Sequence, residues 1–409
     1  MKKINRVEQQ IIRKNNPIYD VVDQYCFYSK NVYNQANYII RQEFINNNNK
    51  LSAYDVQKLM QSMDCYKECG SQAAQKTIQL VDKMWKSYFK AIKDWKKNPS
   101  KYLGMPKLPK YLPKDGRQVF MLKNIQCSLN NGQFRIAFKP FGGYTVKTHA
   151  VGKLMQCRFV PKADYYVMEI VYEIEVPETE NIVSERIAAI DLGVDNLMTI
   201  TTNCDVSPII INGKPLKSIN QYYNKKISEM RSELKLRNDS DWSNEMQRFT
   251  TKRNNQVDDY IQKSTKMVVN FCKCNDIDTL VCGYNSGWKQ DTNMGKRVNQ
   301  KFVSIPYLSI VQRLEYKCEN EGIKFIKTNE SYTSGTSFLD GEEPIEKNYN
   351  KDRRIYRGLF QSEKGVYINA DVNGSYQIMK KVFPKAFANG IVDAGSHPVV
   401  VNVPLQTVK

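Results

Sequence analysis

Apolar and polar positions divide the chain into blocks of different periodicity. Residues 4 to 15 alternate weakly, with Val7, Ile11 and Ile12 among Arg, Glu, Gln and Lys, and predict one isolated strand. From Pro17 to about Lys97 the apolar spacing is three and four residues. Val21, Val22, Tyr25, Cys26, Val32 and Tyr33 form one such series, and Ala73, Ala74, Ile78, Val81, Met84, Trp85, Phe89 and Ile92 another, so this block predicts helices. Pro106, Pro109 and Pro113, interleaved with Lys107, Lys110 and Lys114, end the helices in a basic linker. Residues 117 to 177 read as β-structure: Gln133 to Phe138 alternates, Asn130-Asn131-Gly132 is a hairpin turn, and Tyr165 to Ile174 is a long strand. This block predicts a small barrel or sheet that the N-terminal strand joins, with a boundary at 177–181.

The pattern then changes. Ile187 to Ile190 is an apolar run that ends in Asp191, turns through Gly193 to Asn196 and returns as Leu197 to Thr202. It predicts a hairpin whose first strand is buried on both faces, as an inner strand of a mixed sheet is. A third strand at Ile209 to Ile211 precedes a long charged helical region to about Asn275. Leu280 to Cys282 is the next buried strand, followed by a polar, basic loop from Asn285 to Asn299 holding Trp288, Lys289, Lys296 and Arg297. A helix carrying Leu308, Val311, Leu314 and Cys318 on one face leads to a strand from Ile323 to Thr328, with Glu330 just past its end. Residues 340 to 365 are loop-like and charged. Val366 to Ile368 enters a helix with Val372, Tyr376, Met379 and Phe383 turned inward, and the tail after Pro384 lacks periodicity and reads as loosely ordered.

Charge narrows the partners. In 409 residues, 61 Lys and Arg stand against 42 Asp and Glu, a net charge of +19, and 25 Tyr, 16 Phe and 4 Trp are interspersed. Phosphate neutralisation combined with rings that stack on bases is the footprint of a nucleic-acid binder. No apolar run approaches the length of a membrane span, and Met1-Lys2-Lys3-Ile4-Asn5-Arg6 has charge without an apolar core behind it, so a cytoplasmic protein is expected. The 10 Cys lack paired C-x-x-C spacing and the only histidines are His149 and His397, a composition that does not predict zinc. On the helix around residues 71 to 92, Gln72, Gln75 and Lys76 lie among the polar positions; they form either a solvated face or one laid against DNA.

Burying Asp191 at a strand end is costly unless a cation compensates it; the alternative is an Asp that starts the turn through its own backbone. Asp371 opens the last helix, where it is either an N-cap or a second carboxylate of the same site. The two lie 180 positions apart, so only folding can unite them. Two-metal phosphodiester hydrolysis needs such carboxylates from separate elements.

Five motifs occur in order: Asp191-Leu192-Gly193; Asn212-Gly213-Lys214-Pro215-Leu216-Lys217-Ser218-Ile219-Asn220; Asn299-Gln300-Lys301-Phe302-Val303-Ser304-Ile305-Pro306; Glu330-Ser331-Tyr332-Thr333-Ser334; and Ile368-Asn369-Ala370-Asp371-Val372-Asn373-Gly374. This series resembles TnpB, the OrfB protein of insertion sequences and ancestor of the compact type V CRISPR effectors. Gln75-Lys76-Thr77, Leu80-Val81-Asp82 and 109–114 extend the likeness into the N-terminal half. The resemblance implies a multidomain α/β fold: the first strand of a wedge β-barrel (1–16), a helical recognition lobe (17–110), the rest of the barrel (111–180), an RNase H-like RuvC nuclease domain (181–384) and a C-terminal tail (385–409). It implies an RNA-guided DNA endonuclease that takes a guide RNA and double-stranded target DNA in a prokaryotic cytosol or nucleoid, reads a short motif beside the target, and uses two Mg²⁺ ions, with Mn²⁺ as an alternative. Asp191 and Asp371 match the first and third RuvC carboxylates.

Two departures bear on activity. Where the family's second catalytic Glu usually ends a strand, this chain reads Gly283-Tyr284-Asn285; Glu330, at the end of the following strand, is the candidate replacement, and a surface Glu is the alternative. The four-Cys zinc ribbon of many relatives is also missing, since 331–370 contains no Cys, and residues 340–365 stand in its place. The missing Glu leaves open a second function, a nuclease-inactive RNA-guided DNA-binding protein of the same fold.

Overall fold

The helical and alternating blocks of the sequence fold into different parts of a mixed α/β structure. A computed structural model describes residues 1–238, 241–285, 303–356, 358–387 and 398–404, so Trp288, Lys289, Lys296 and Arg297 lie outside the described residues. The chain divides into two units, residues 3–175 and residues 176–409 with Met1 and Lys2.

In the first unit the three- and four-residue spacing becomes α1 (Tyr19–Asn47), α2 (Ala53–Met60), α3 (Asp64–Cys69) and α4 (Ser71–Lys97). Ser52 and Asp55 close a capping box at the start of α2. Polar residues on α1 are buried for a reason: Lys30, Tyr33 and Asn34 donate to the carbonyls of Lys114, Lys110 and Leu112, tying down the proline-punctuated linker. Asn37 also accepts from the Trp85 indole at 2.9 Å, which joins α1 to α4. The β-block pairs as two sheets. One holds β1 (Lys2–Ile12), β7 (Tyr166–Val176), β6 (Lys153–Pro161) and β2 (Phe120–Lys123), in that order; the other holds β3 (Cys127–Asn130), β4 (Gln133–Ile136) and β5 (Thr145–Lys147). The N-terminal strand thus adds to the edge of the larger sheet. Phe120, wholly buried, stacks on Phe141 and Phe159 at the centre of this core. Phe120→Ala is expected to cost about 3–5 kcal/mol of stability through the cavity it leaves, read as a lower urea midpoint.

The second unit is built on a six-stranded mixed sheet in the order β12 (Lys324–Thr328), β11 (Thr279–Gly283), β8 (Ile187–Leu192), β9 (Asn196–Thr202), β10 (Ile209–Asn212), β15 (Val399–Val401). β8 pairs antiparallel with β9 and parallel with β11, which pairs parallel with β12. The β8–β9 hairpin expected from the apolar run is present, with its first strand inside the sheet. Helices α5 (Lys214–Asn238), α6 (Asn244–Cys274), α7 (Tyr307–Asn320) and α8 (Ala370–Val382) complete the unit, and a small hairpin of β13 (Leu359–Gln361) and β14 (Tyr367–Asn369) precedes α8. The described part of the tail holds one short strand. Val399 to Val401 pair in parallel with Ile209 to Ile211, because three consecutive β-branched residues extend readily along an open edge.

Candidate metal and nuclease site

Period-two alternation gives each residue of β8 its destination. Ala188, Ile190 and Leu192 enter the core shared with α6 and α7. Ile187 and Ala189 face the opposite way, with Val281, Ile378 and Met379. Asp191 follows in that second series and therefore meets α8. The helix is drawn close by Ser375, whose hydroxyl donates to the Ala189 carbonyl at 2.9 Å and lies 2.9 Å from Thr201 Oγ1. Gly374 permits the approach: a Cβ there would stand 3.0 Å from Asp191 Oδ2.

Asp371 is in the first turn of α8 but does not cap it. Asn369 accepts from the backbone N–H of Asp371 and of Val372, at 3.0 and 3.2 Å, leaving the Asp371 carboxylate free to face the strand ends. Asp191 and Asp371 line one pocket of about 610 Å³, together with Asp195, Asn196, Ser334 and Arg354. Asn196 Nδ2 donates to Asp371 Oδ2 at 2.7 Å, and Arg354 Nη2 donates to Oδ1 at 3.0 Å. Asp195 is paired with Lys217 at 2.8 Å.

Glu330 does not line that pocket, but it lies close enough to Asp191 to feel its charge. Its strand lies two places from β8, across β11, and β11 ends at Gly283 opposite Thr328. The absence of a side chain at 283 makes room: a Cβ there would stand 2.6 Å from Ile378 Cδ1 and 3.1 Å from Glu330 Oε2. That oxygen is buried and accepts no hydrogen bond. Burial raises the Asp191 carboxyl well above the ordinary carboxylate range, and the Asp371 charge raises it further, against the Arg354 guanidinium. Burial likewise raises Glu330, with Asp191 adding to it and Lys381 opposing. Lys381, from α8, is bonded to the Ser331 carbonyl at 2.9 Å.

These carboxylates come from three elements, as the sequence suggested, but they are not a finished cluster. Among the described residues no set of three or more His, Cys, Asp or Glu is gathered closely enough to hold a metal ion. Their chemistry nevertheless fits a hard divalent cation: oxygen donors, one of them buried with no partner, with the Asp371 charge disfavouring that of Asp191 and the Asp191 charge disfavouring that of Glu330. Asn196 and Arg354 went unrecognised from the sequence. The Gly193-to-Asn196 turn was visible, but nothing in it indicates a bond across 175 residues. Arg354 lies in a charged segment without periodicity.

Of the three candidate DNA-contacting residues, all half-buried on α4, Gln75 accepts from Lys123 Nζ at 3.1 Å and Gln72 Oε1 is buried without a partner. Among the described residues no helix is long and apolar enough to cross a membrane.

Residues 169–289, which include Asp191, match the OrfB_IS605 family, described as a probable transposase. Residues 307–378, which include Glu330 and Asp371, match the Cas12f1-like TNB domain. A search of curated proteins found no match. Among solved structures, the chain is similar to a Cas12f1–sgRNA–target DNA complex (17% identity, 92% of this chain and 98% of that one, TM-score 0.37). It is also similar to a CRISPR-Cas12f ternary complex (16% identity, 88% and 80%, TM-score 0.37) and a Cas12i–crRNA–dsDNA complex (6% identity, 87% and 60%, TM-score 0.34). The two family matches divide the acidic residues between them and agree with the resemblance read from the motifs: residues 169–289 match the OrfB_IS605 model and residues 307–378 match the Cas12f1-like TNB model.

Proposed function

We propose that the protein is an RNA-guided DNA endonuclease with an RNase H-like, RuvC-type site formed by Asp191, Glu330 and Asp371. The observation that carries this reading is the Glu330 carboxylate, with its buried, unpartnered oxygen beside Asp191 in space that Gly283 leaves free. A group so placed is costly in a merely structural role, and a divalent cation offsets the cost. Asp191, Glu330 and Asp371 would hold two Mg²⁺ ions, or Mn²⁺ in their place. Bound there, the pair supplies Lewis-acid activation of water and stabilisation of the leaving oxygen of a phosphodiester. The chain's own part is to bring carboxylates from a strand, a strand end and a helix to one place. Lys217 neutralises Asp195, the remaining acid of the pocket, so that it does not compete for the cation.

The partners follow from charge and kinship. A net charge of +19 suits two polyanions, a guide RNA and a target duplex, and the Cas12f relatives were solved as complexes of that kind. In this reading Gln72, Gln75 and Lys76 remain candidate DNA contacts, with Gln75 exchanging Lys123 for nucleic acid.

The test is cleavage by protein purified with its co-expressed RNA, given Mg²⁺ and a matching duplex behind a randomised flank. Wild type is expected to cut only guide-matched DNA, and Asp191→Ala to retain RNA and lose cutting. Guide-dependent binding without cutting by wild type would instead establish the nuclease-inactive binder, which the glycine at 283 favours. Absence of any guide dependence would overturn both.

A further inference from the structure

Asp371 is held on both carboxylate oxygens, by two residues of different character. Asn196, neutral, opens β9 and so is fixed by the sheet register on the same hairpin that presents Asp191. Arg354, charged, follows a short turn at Lys351–Arg353, and its side chain is 40% exposed. Its contact with Asp371 is a single-nitrogen hydrogen bond rather than the two-pronged fork that makes Arg–carboxylate pairs strong. The preceding Arg353 is anchored to Glu342 at 2.5 Å, so the loop has a fixed foot from which the Arg354 side chain can swing.

We propose that Arg354 is the resident counter-ion of the site, holding Asp371 in the place a metal would take, and that Asn196 is a positioning residue that keeps Asp371 aligned in either state. The inference rests on the reading of Asp191 and Asp371 as metal ligands. A cation shared by the two aspartates would lie against the guanidinium, and like charges at that separation exclude one another. Arg354 accordingly departs as metal loads. The neutral amide of Asn196 has no such conflict and stays. With Arg354 seated, both Asp371 carboxylate oxygens are taken by protein donors.

The test measures metal, not cutting. RNA-free, full-length protein is titrated with Mn²⁺, free ion is read by electron paramagnetic resonance, and Asp191→Ala defines the binding that belongs to the site. Arg354→Ala is expected to tighten Asp191-dependent Mn²⁺ binding about tenfold, the order expected when one competing unit charge is removed from a partly exposed site. Arg354→Lys is expected to stay near wild type because it keeps the charge, and Asn196→Ala to weaken binding severalfold. Unchanged or weaker binding in Arg354→Ala overturns the proposal while leaving the metal site standing. Equal binding by wild type, Asp191→Ala and Arg354→Ala overturns the metal reading and the proposal with it.

Discussion

Glu330→Gln is expected to lower Mg²⁺-dependent cleavage by about a thousandfold or more, because losing one anionic ligand from a two-metal site removes several kcal/mol of transition-state stabilisation. The amide keeps the shape of the side chain, so folding and RNA retention should hold, and single-turnover cutting is the measurement. The sharper form of the experiment moves the carboxylate. Position 283 ends the neighbouring strand, and its Cβ direction points at the Glu330 carboxylate, 3.1 Å from Oε2. Gly283→Glu alone should crowd Ile378 and repel Glu330. Combined with Glu330→Gly it should return part of the lost activity, because the far end of Ile378 can rotate away. Recovery in the double variant, and not in Glu330→Gly alone, would identify the role as a place in space rather than a residue number. Full cutting by Glu330→Gln would remove Glu330 from the site.

The metal-free protein should lose stability as pH rises from about 5 to about 9. Burial, helped by the Asp371 charge at Asp191 and by the Asp191 charge at Glu330, pushes Asp191 up to about 8 and Glu330 up to about 9, while in the unfolded chain both release their protons near 4. Between those limits the native protein binds more protons than the unfolded chain, so raising pH favours unfolding, and above the native values the slope from these groups vanishes. Thermal melts of wild type in chelator should therefore fall with pH more steeply than those of Asp191→Asn or Glu330→Gln. Mg²⁺ should raise the wild-type melting temperature most at the alkaline end, where its ligands are already ionised. Parallel pH profiles for wild type and both variants would show that these carboxyls are ordinary.

The sequence was informative where one pattern had one physical meaning. Ile187 to Leu192 could bury both faces only inside a sheet, and it does so. The helical spacing up to residue 97 became four helices, and the strand-turn-strand at 127–136 became β3 and β4. Asp191 and Asp371 were paired through the resemblance that the ordered motifs carry, and both line one pocket. What escaped was polar and non-local. Asn196 looks like any turn asparagine until α8 arrives against it, and Arg354 is one of several cations in a segment with no periodicity. Within the tail, the strand at Val399–Val401 went unread because three residues are too few to show a period but enough to pair.

The proposed exchange of a carboxylate between positions 283 and 330 bears on how chains of this kind are compared. β11 and β12 run parallel and in register, and a Cβ at 283 would stand 3.1 Å from Glu330 Oε2, so in the proposed site a carboxylate from either strand end would reach the same space. A mutation that empties one strand end and fills the other leaves the local chemistry nearly unchanged while erasing it from a column-by-column comparison. Judged by aligned positions, such a protein is a broken enzyme. Judged by where its oxygens lie, the proposed site would keep its third carboxylate, carried by the end of the adjoining strand.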